Sequence, residues 1–380
     1  MKEYKIPTLP LSVELENKPI LKQLNLANKQ LAELKGLVQT IPNESILINS
    51  LTLQEAKDSS EVENIVTTHD DLYKTDLDVS DFIASAAAKE VMNYREAIQV
   101  GFQLVRKDKL ITNNIIKEVQ KVLDGNTAGF RKVPGTTLKN SCGNTIYTPP
   151  QDGLAVERLM SELEQFINTQ ELCNLDPLIK LAVIHHQFES IHPFYDGNGR
   201  TGRIVSILFL VANDLLDLPI LYLSRYITHN KGEYYRLLQA VRENEENEAQ
   251  WQEWVIFILR GIEETAKDTI VMVKQILRLM AEYKHILRPI FGRQYRHDLL
   301  NNLFSHPYTK IEYTEQAMQV RRKTAAKYLD MIVETGLLEK VKIKRSNYYI
   351  NKKLVDILMN HHKPSQEGNA RCTKYITAEA

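Results

Sequence analysis

A stretch of twelve residues, 192–203, has the sequence HPFYDGNGRTGR and lies between two apolar runs at 181–184 and 204–211. The pattern predicts a loop that joins two buried helices. Glycines in such a loop let the backbone approach a ligand closely and turn its amide groups toward it. A helix that begins there adds free N–H groups and the positive end of its dipole, which bind phosphate. Because the stretch also holds an acid that suits Mg²⁺ and a His that suits proton transfer, it predicts chemistry on a nucleotide phosphate.

Composition and charge limit the class of protein. The chain has 380 residues, of which 43% are apolar, and this predicts two or three globular domains. Its 48 basic residues balance 48 acidic ones, so no overall field directs it to nucleic acid or to a membrane. The three cysteines form no metal or disulfide pattern, which is typical of a reducing cytoplasm. With no signal pattern and no apolar run of about 18 residues, we expect a cytoplasmic protein without a membrane partner.

Helical spacing of apolar residues covers most of the chain and predicts a mainly α protein in four parts. These are an N-terminal helical arm at 1–79, a central unit at 80–289, a smaller unit at 290–360 and a disordered tail at 361–380. Pro289 is expected to end the last long helix of the central unit. In the arm, Ser59 is a good N-cap residue followed by acids, so we expect a short helix to begin there. Apolar faces in the arm leave a homodimer open.

Two segments depart from plain helical spacing. Residues 127–150 carry glycines and prolines, with Cys142-Gly143-Asn144 between β-forming residues, and predict a β-hairpin. The hairpin is either a surface loop or an exposed edge that pairs with an extended peptide.

Residues 290–355 show a helix, turn, helix and hairpin pattern that predicts a winged helix. From 321 to 345, eight basic residues face three acidic ones, so this unit could bind DNA, or serve as a protein-docking unit.

The stretch at 192–203 matches the signature of the Fic family, HPF-x-[DE]-GNGR-x-x-R, at every specified position. The chain resembles that family over roughly residues 80–285, and its arm and predicted winged helix resemble those of longer, three-part bacterial members. The resemblance implies a Fic-type helical core with a β-hairpin flap. It also implies transfer of AMP from ATP to Ser, Thr or Tyr hydroxyls of target proteins and of the protein itself.

The resemblance assigns roles within the central stretch. His192 would take the proton from the attacking hydroxyl, and Asp196 would hold Mg²⁺ between the α- and β-phosphates. The backbone of Gly197, Asn198 and Gly199 would surround phosphate oxygens, with the Asn198 side chain adding a donor. The full set of ATP contacts implied is Glu63, His192, Gly197, Asn198, Gly199, Arg200, Thr201, Gly202, Arg203 and Tyr235.

Arg200 and Arg203 lie three residues apart in the first turn of the expected helix and so share one face. Both could hold the leaving pyrophosphate, and the resemblance places a γ-phosphate contact at Arg203. Family members that phosphorylate carry Lys at the second glycine of the motif, so Gly199 favours AMP transfer. Tyr235 is predicted to touch the base end of the nucleotide, and Tyr234 to pack in the core.

Upstream, Ser59, Glu63 and Asn64 resemble the inhibitory motif [ST]-x-x-x-E-[GN] of self-restrained Fic proteins. A carboxylate delivered to Arg203 would form a bidentate pair and remove the arginine from the γ-phosphate. The hairpin occupies the position of the family's flap, whose strand pairing registers a target segment against His192. Its predicted docking residues are Asn144, Thr145, Ile146 and Tyr147.

Other functions remain open at this point. Glu63 could position a water that removes AMP from a target, or the site could transfer another nucleotide. A non-enzyme alternative is a DNA-binding regulator whose Fic core senses ATP. The sequence does not identify the target protein or the signal that relieves inhibition.

Overall fold

Helices dominate the part of the chain that the computed structural model describes, which comprises residues 5–68, 71–72, 75, 85–139, 142–244, 247–343 and 346–360. The helices are α1 (Lys18–Val38), α2 (Glu44–Val62), α3 (Ala86–Asp108), α4 (Asn113–Asp124), α5 (Gly153–Asn168), α6 (Pro177–Ile191), α7 (Asn198–Ala212), α8 (Leu223–His229), α9 (Lys231–Glu243), α10 (Glu248–Phe291), α11 (His297–Ser305), α12 (Ile311–Met318), α13 (Arg322–Glu334) and α14 (Lys352–Asn360). The strands are β1 (Leu138–Lys139), β2 (Thr145–Tyr147), β3 (Tyr308–Lys310), β4 (Glu339–Ile343) and β5 (Ser346–Ile350). The mainly α fold class is therefore confirmed.

Short polar side chains fix where several helices begin. Asn17 caps α1 by accepting from the backbone N–H of Ile20 at 3.2 Å, and Asn43 caps α2. Asp152 and Asp176 do the same for α5 and α6. Each cap satisfies N–H groups that have no partner inside the helix, which contributes about 1 kcal/mol. The caps therefore fix the residue at which each of these helices begins.

The centre of the molecule is a pair of helices, α6 and α7. Every residue of α6 from Leu178 to Ile191 is buried, and almost all of α7 is buried too. Such all-round burial requires neighbours on every side. Helices α1, α5 and α10 pack on α6, and α2, α3, α4 and α8 pack on α7. The twelve-residue stretch 192–203 forms the loop between α6 and α7 and the first turns of α7, so its loop joins two buried helices.

The arm packs against the rest of the protein. Helix α1 lies along the 44-residue α10, and α2 packs against α3 and α8. The C-terminal unit holds a three-stranded antiparallel sheet with strand order β3–β5–β4, next to α11, α12 and α13. Its helices and the β4–β5 hairpin occur in the order expected of the predicted winged helix, and the sequence did not predict β3 or α14. Tyr283 of α10 joins this unit to the core by donating to the carbonyl of Leu337 at 2.8 Å.

Two predicted boundaries are wrong. Ser59 does not start a helix, because α2 runs unbroken from Glu44 to Val62 and the Ser59 hydroxyl is used in a tertiary contact. Pro289 lies inside α10, which ends only at Phe291. The predicted tail at 361–380 lies outside the described residues, and the proposed domain limits stay predictions.

No helix in the described ranges combines the length and apolar character needed to cross a membrane.

Candidate active site

A cavity of about 240 Å³ opens between the α6–α7 loop, the hairpin, the end of α2 and α9. Most of the predicted site residues line it together: Glu63, Ile146, Tyr147, His192, Asp196, Gly197, Asn198, Gly199, Arg200, Arg203 and Tyr235. The rest of the predicted set, Ser59, Asn64, Asn144, Thr145, Thr201 and Gly202, lies outside its lining. Thr201 is fully buried, and Gly202 packs so tightly on Phe188 that a Cβ would approach its ring carbon to 2.9 Å. Both pack toward the core, and their predicted ATP contacts stay predictions.

His192 ends helix α6 in a left-handed conformation, with φ 51°. Its backbone N–H donates to the carbonyl of Phe188 at 2.9 Å and closes the helix. Burial and the neighbouring guanidinium groups of Arg242 and Arg131 lower the pKa of His192 to about 3. The imidazole is therefore neutral near pH 7, which is the form that can accept a proton.

Helix α7 points its first turn at the cavity, with Gly197 as its N-cap residue. The Asn198 side chain braces the preceding loop: its Oδ1 accepts from the N–H of Phe194 at 2.8 Å, and its Nδ2 donates to the carbonyl of Phe194 at 2.9 Å. Both polar atoms of this amide thus bond to backbone. Its nitrogen carries a second N–H group, and the predicted phosphate contact stays a prediction. The backbone N–H groups at the start of the helix remain the anion-binding feature.

Asp196 stands exposed at the cavity wall, where its Oδ1 accepts from the N–H of Gly197 at 2.6 Å. A second carboxyl, Asp124, lies near enough that burial and the charge of Asp196 raise its pKa. Among the described residues there is no cluster of three or more His, Cys, Asp or Glu groups suited to a metal. Mg²⁺ commonly binds through one or two carboxylates plus substrate phosphates, so Asp196 fits such an ion when a nucleotide is present.

The two arginines of the stretch are buried and already paired. Arg200 donates to Glu90 Oε2 at 3.1 Å. Arg203, 2% exposed, donates from Nε to the Ser59 hydroxyl at 2.8 Å, and from Nη2 to the Ser59 carbonyl at 3.0 Å and to Glu63 Oε1 at 2.8 Å. The expected bidentate pair with Glu63 is therefore wrong. Arg203 makes one bond to that carboxylate and two to Ser59, because α2 continues to Val62 and carries Ser59 to the guanidinium.

Gly199 is where Glu63 meets the first turn of α7. A Cβ at this position would overlap Glu63 Oε1 and would lie 3.0 Å from Arg203 Nη1. The absence of a side chain lets the carboxylate rest against the helix start and the arginine together. Asn64 lies just outside, accepting from Lys231 Nζ at 2.9 Å.

Tyr234 and Tyr235 both reach the cavity from α9. Tyr234 is buried, makes a 2.9 Å hydrogen bond with His185 Nε2 and packs near Trp254 with ring centroids 5.7 Å apart. Tyr235 is only partly buried. Tyr234 therefore packs in the core, and the contact of Tyr235 with the nucleotide stays a prediction.

The hairpin forms one side of the opening. Strand β1 pairs antiparallel with β2, with Leu138 opposite Tyr147. Ile146 and Tyr147 face the cavity, whereas Asn144 and Thr145 are exposed. The Tyr147 hydroxyl donates to the carbonyl of Ser190 at 2.6 Å, which fastens the hairpin to the end of α6.

Sequence reasoning missed several polar groups of the site, namely Glu55, Glu90, Arg131, Glu189 and Arg242. Arg242 follows the buried Leu238 by four residues, and this spacing on an otherwise apolar stripe was a usable signal. Arg131 and Glu189 carry no such signal, because only the tertiary fold brings Arg131 to the carbonyls of Ile191 and His192 and places Glu189 in the cavity lining. Burial raises the pKa of Glu189 to about 7, and its Oε1 has no hydrogen-bond partner in the described part of the chain.

Solved structures show which fold this arrangement has. A Fic family protein from Desulfovibrio desulfuricans G20 aligns over 90% of this chain and 98% of its own, with a TM-score of 0.56 and 18% identity. Fic-1 from C. elegans aligns over 67% of this chain and 73% of its own, with a TM-score of 0.51 and 18% identity. The protein therefore has a Fic fold.

Family models give the same answer from sequence. Residues 21–103 match the Fic/DOC family N-terminal model, 110–210 match the Fic/DOC family model, and 279–354 match the C-terminal domain of "Protein adenylyltransferase SoFic-like". These three matches follow one another along the arm, the core and the C-terminal unit. The chain belongs to the Fic family.

Curated relatives match at modest identity. A probable protein adenylyltransferase of Aquifex aeolicus is 26% identical over 184 residues, covering 48% of this chain and 54% of the relative. Protein adenylyltransferase Fic of Drosophila erecta is 30% identical over 107 residues, covering 27% of this chain and 20% of the relative. The match spans about half the length of the first relative and a fifth of the second.

Proposed function

We propose that this protein transfers AMP from ATP to side-chain hydroxyls of target proteins and of itself, and that Glu63 restrains the reaction. The observation that carries the proposal is one cavity lined by a neutral His192, a helix N-terminus and the guanidinium of Arg203. A base, an anion-binding site and a cation are the three parts that nucleotidyl transfer needs. The names of the curated relatives, protein adenylyltransferases, support the same reaction.

In this mechanism the target hydroxyl gives its proton to the His192 imidazole as its oxygen bonds to the α-phosphorus. The bond between the α-phosphorus and the bridging oxygen to the β-phosphate breaks, and pyrophosphate leaves with that electron pair. The first N–H groups of α7 stabilise charge on the α-phosphate, and Arg200 and Arg203 hold the departing phosphates. AMP remains on the target, and the proton later returns from His192 to solvent.

Asp196 is the residue proposed to hold Mg²⁺. When bound, this ion would neutralise phosphate charge and favour departure of pyrophosphate. Asp196 suits this use because it is exposed at the cavity wall and carries no ion pair among the described residues.

Autoinhibition follows from what already occupies Arg203. Its Nη2 donates to Glu63, and the Glu63 carboxylate lies against the start of α7 that a phosphate would need. Two anions cannot share that place without strong repulsion, because the arginine is nearly fully buried. Glu63 must therefore move before ATP binds productively.

The test is incubation with ATP labelled at the α-phosphate, comparing wild type, Glu63→Gly, and Glu63→Gly with His192→Ala. Glu63→Gly should raise labelling strongly, and the added His192→Ala should abolish it. Mass spectrometry should show the mass of AMP on the modified protein, as Gly199 favours. A gain of phosphate alone, or labelling that persists without His192, would refute the mechanism. Loss of label from a modified target, dependent on Glu63, would instead support AMP removal.

A second candidate is DNA binding by the C-terminal unit. Arg321, Lys323 and Lys327 are exposed at the start of α13, where a recognition helix would meet phosphates, although Arg322 is paired with Glu312. A gel shift should show salt-sensitive binding that neutralising these residues removes. Absence of binding at low salt would reject this candidate and leave AMP transfer untouched.

A further inference from the structure

Helix α6 ends with an unusual set of side-chain caps. The last carbonyls of a helix have no partner inside it and need donors from elsewhere. Here three side chains from two distant segments supply them: Arg242 Nη2 donates to the carbonyl of Glu189 at 3.0 Å, the Tyr147 hydroxyl to that of Ser190 at 2.6 Å, Arg131 Nη2 to that of Ile191 at 3.2 Å and Arg131 Nε to that of His192 at 2.8 Å. Four consecutive carbonyls up to and including His192 are thus satisfied.

The two arginines are among the most buried charges of the protein. Arg131 is 1% exposed and Arg242 is 6% exposed. Cations are favourable at the C-terminal end of a helix, where the dipole is negative, and this helps to offset the cost of burying them. Arg131 also binds the far side of the loop, because its backbone N–H donates to the carbonyl of Pro193 at 2.8 Å.

Arg242 connects three elements at one point. From α9 its Nε donates to the Ser190 hydroxyl at 3.1 Å, and its guanidinium stacks over the Tyr147 ring at 4.0 Å from the centroid. Tyr147 belongs to β2 of the hairpin, so the hairpin and the end of α6 share the same arginine. A shift of the hairpin would therefore move the contacts that support His192.

His192 needs such support because of its backbone. A non-glycine residue at φ 51° is sterically strained, and surrounding contacts must offset this strain. Its neighbours also set its charge: Arg242 faces it from α9 and Arg131 from the segment before β1, and both oppose protonation in addition to burial. The carboxyl of Glu189, on its own helix, is influenced by Arg203, Glu63 and Arg242.

We propose that Arg131 and Arg242 are positioning residues that hold His192 in its left-handed conformation as a neutral base, and that Tyr147 links this base to the hairpin. A target segment paired with the hairpin is thereby registered against His192. The kinetic part of this inference rests on the proposed AMP transfer. The structural part, that these arginines control the state of His192, does not.

The experiment compares Arg242→Lys and Arg242→Gln in full-length Glu63→Gly protein. Lys keeps the charge and loses the forked donors, whereas Gln keeps a donor and loses the charge. Arg236→Gln is the matched control, since it removes one charge from the exposed side of the same helix. Histidine-selective NMR then follows the His192 ring with pH, and thermal melting shows whether each variant is folded.

We expect the His192 pKa to rise in Arg242→Gln toward its ordinary value and to stay low in Arg242→Lys and Arg236→Gln. AMP transfer should fall in both Arg242 variants by roughly 100-fold in kcat, because small displacements of a base are costly, with the KM for ATP little changed. Only the Gln variant should move the acid limb of the pH profile upward.

Three results would overturn the inference. The His192 pKa could be the same in Arg242→Gln as in the control, the KM for ATP could change while kcat does not, or Arg242→Lys could retain full kcat. If Arg242 variants do not fold, Tyr147→Phe removes a single hydroxyl. It should lower kcat for protein targets without moving the His192 pKa. If Glu63→Gly protein transfers no AMP at all, the proposed function fails, and the NMR titration still decides the role of the arginines.

Discussion

At the scale of single residues, the site depends on a glycine, a glutamate and an arginine that touch. Gly199 gives Glu63 room to rest on the first turn of α7, and Glu63 reaches Arg203 Nη2 at 2.8 Å. Ser59 adds two further bonds to the same guanidinium. The proposed inhibitory contact is thus shared between a charged pair and a serine, and the serine holds the arginine in the direction that meets Glu63.

Replacement of Ser59 measures how much of the proposed inhibitory contact depends on the serine. Ser59→Ala removes the hydroxyl that accepts from Arg203 Nε, and a hydrogen bond to a charged group contributes about 1.5–3 kcal/mol. We expect AMP transfer to rise about tenfold, less than with Glu63→Gly. Ser60→Ala is the matched control, because Ser60 is equally buried and its hydroxyl has no hydrogen-bond partner in the described part of the chain. Equal effects of the two substitutions would contradict this account.

At the scale of elements, α2 is one continuous helix whose side chains bond to neighbouring helices at several points. Glu55, Ser59 and Glu63 recur every four residues and so share a face. Glu55 accepts from the Tyr94 hydroxyl at 3.2 Å and from the Ser224 N–H at 3.3 Å, which joins α2 to α3 and α8. Glu63, the proposed inhibitory residue at its end, is therefore held by a buried polar contact two turns away.

Glu55 makes this attachment sensitive to pH. Burial raises its pKa from 4.5 to about 8, so the folded protein holds a proton that the unfolded chain releases between those values. The free energy of unfolding should therefore fall as pH rises from 4.5 to about 8, by at most about 1.4 kcal/mol per unit from this group. Glu55→Gln cannot ionise and should melt at a higher temperature than wild type at pH 9, with little difference at pH 5.

Comparison of wild type with Glu55→Gln across pH separates the effect of Glu55 from those of Asp58 and Glu189. Burial raises the pKa values of these two groups as well. Glu61→Gln, at a partly exposed position on the same helix, is the control and should keep the fall in stability with rising pH that Glu55 causes. A variant that melts below wild type at pH 9 would show that Glu55 is needed as a carboxylate.

At the scale of the whole molecule, the C-terminal unit packs against the N-terminal arm and supports α2. Helix α11 packs against α2, and Asn49 Nδ2 donates to the carbonyl of Ser305 at 3.3 Å. Asn49→Asp keeps the size and removes the donor. One such bond contributes about 0.5–1.5 kcal/mol, so AMP transfer should rise by up to about tenfold as α2 loosens. The same substitution added to Glu63→Gly should give no further increase, and an additive increase would show that Asn49 acts by another route.

The long interface between α1 and α10 carries much of the stability of the arm. Leu34 is fully buried there, and a buried Leu→Ala change typically costs about 2–5 kcal/mol. Urea unfolding of Leu34→Ala should show a loss in that range. Leu26→Ala, at a position 48% exposed on the same helix, should stay within about 0.5 kcal/mol of wild type. Equal stability of the two variants would mean that α1 separates before the core unfolds.

The sequence by itself determined the helical class and the central stretch, because apolar periodicity and a dense motif are local properties. It also pointed to Glu63 and Tyr235, which do line the cavity with His192. It failed at Ser59, since a short polar residue can cap a helix or lie buried within one, and only packing decides between them.

Tertiary structure alone decided the groups that act from a distance. Arg131 and Arg242 meet the end of α6 from segments far apart in the chain, and no local pattern records that convergence. The state of His192 follows from them, because burial and nearby charge set a pKa and both exist only in the fold. The motif identifies His192 as the proposed base. The packing around His192 keeps its imidazole neutral, holds its backbone and connects it to the hairpin.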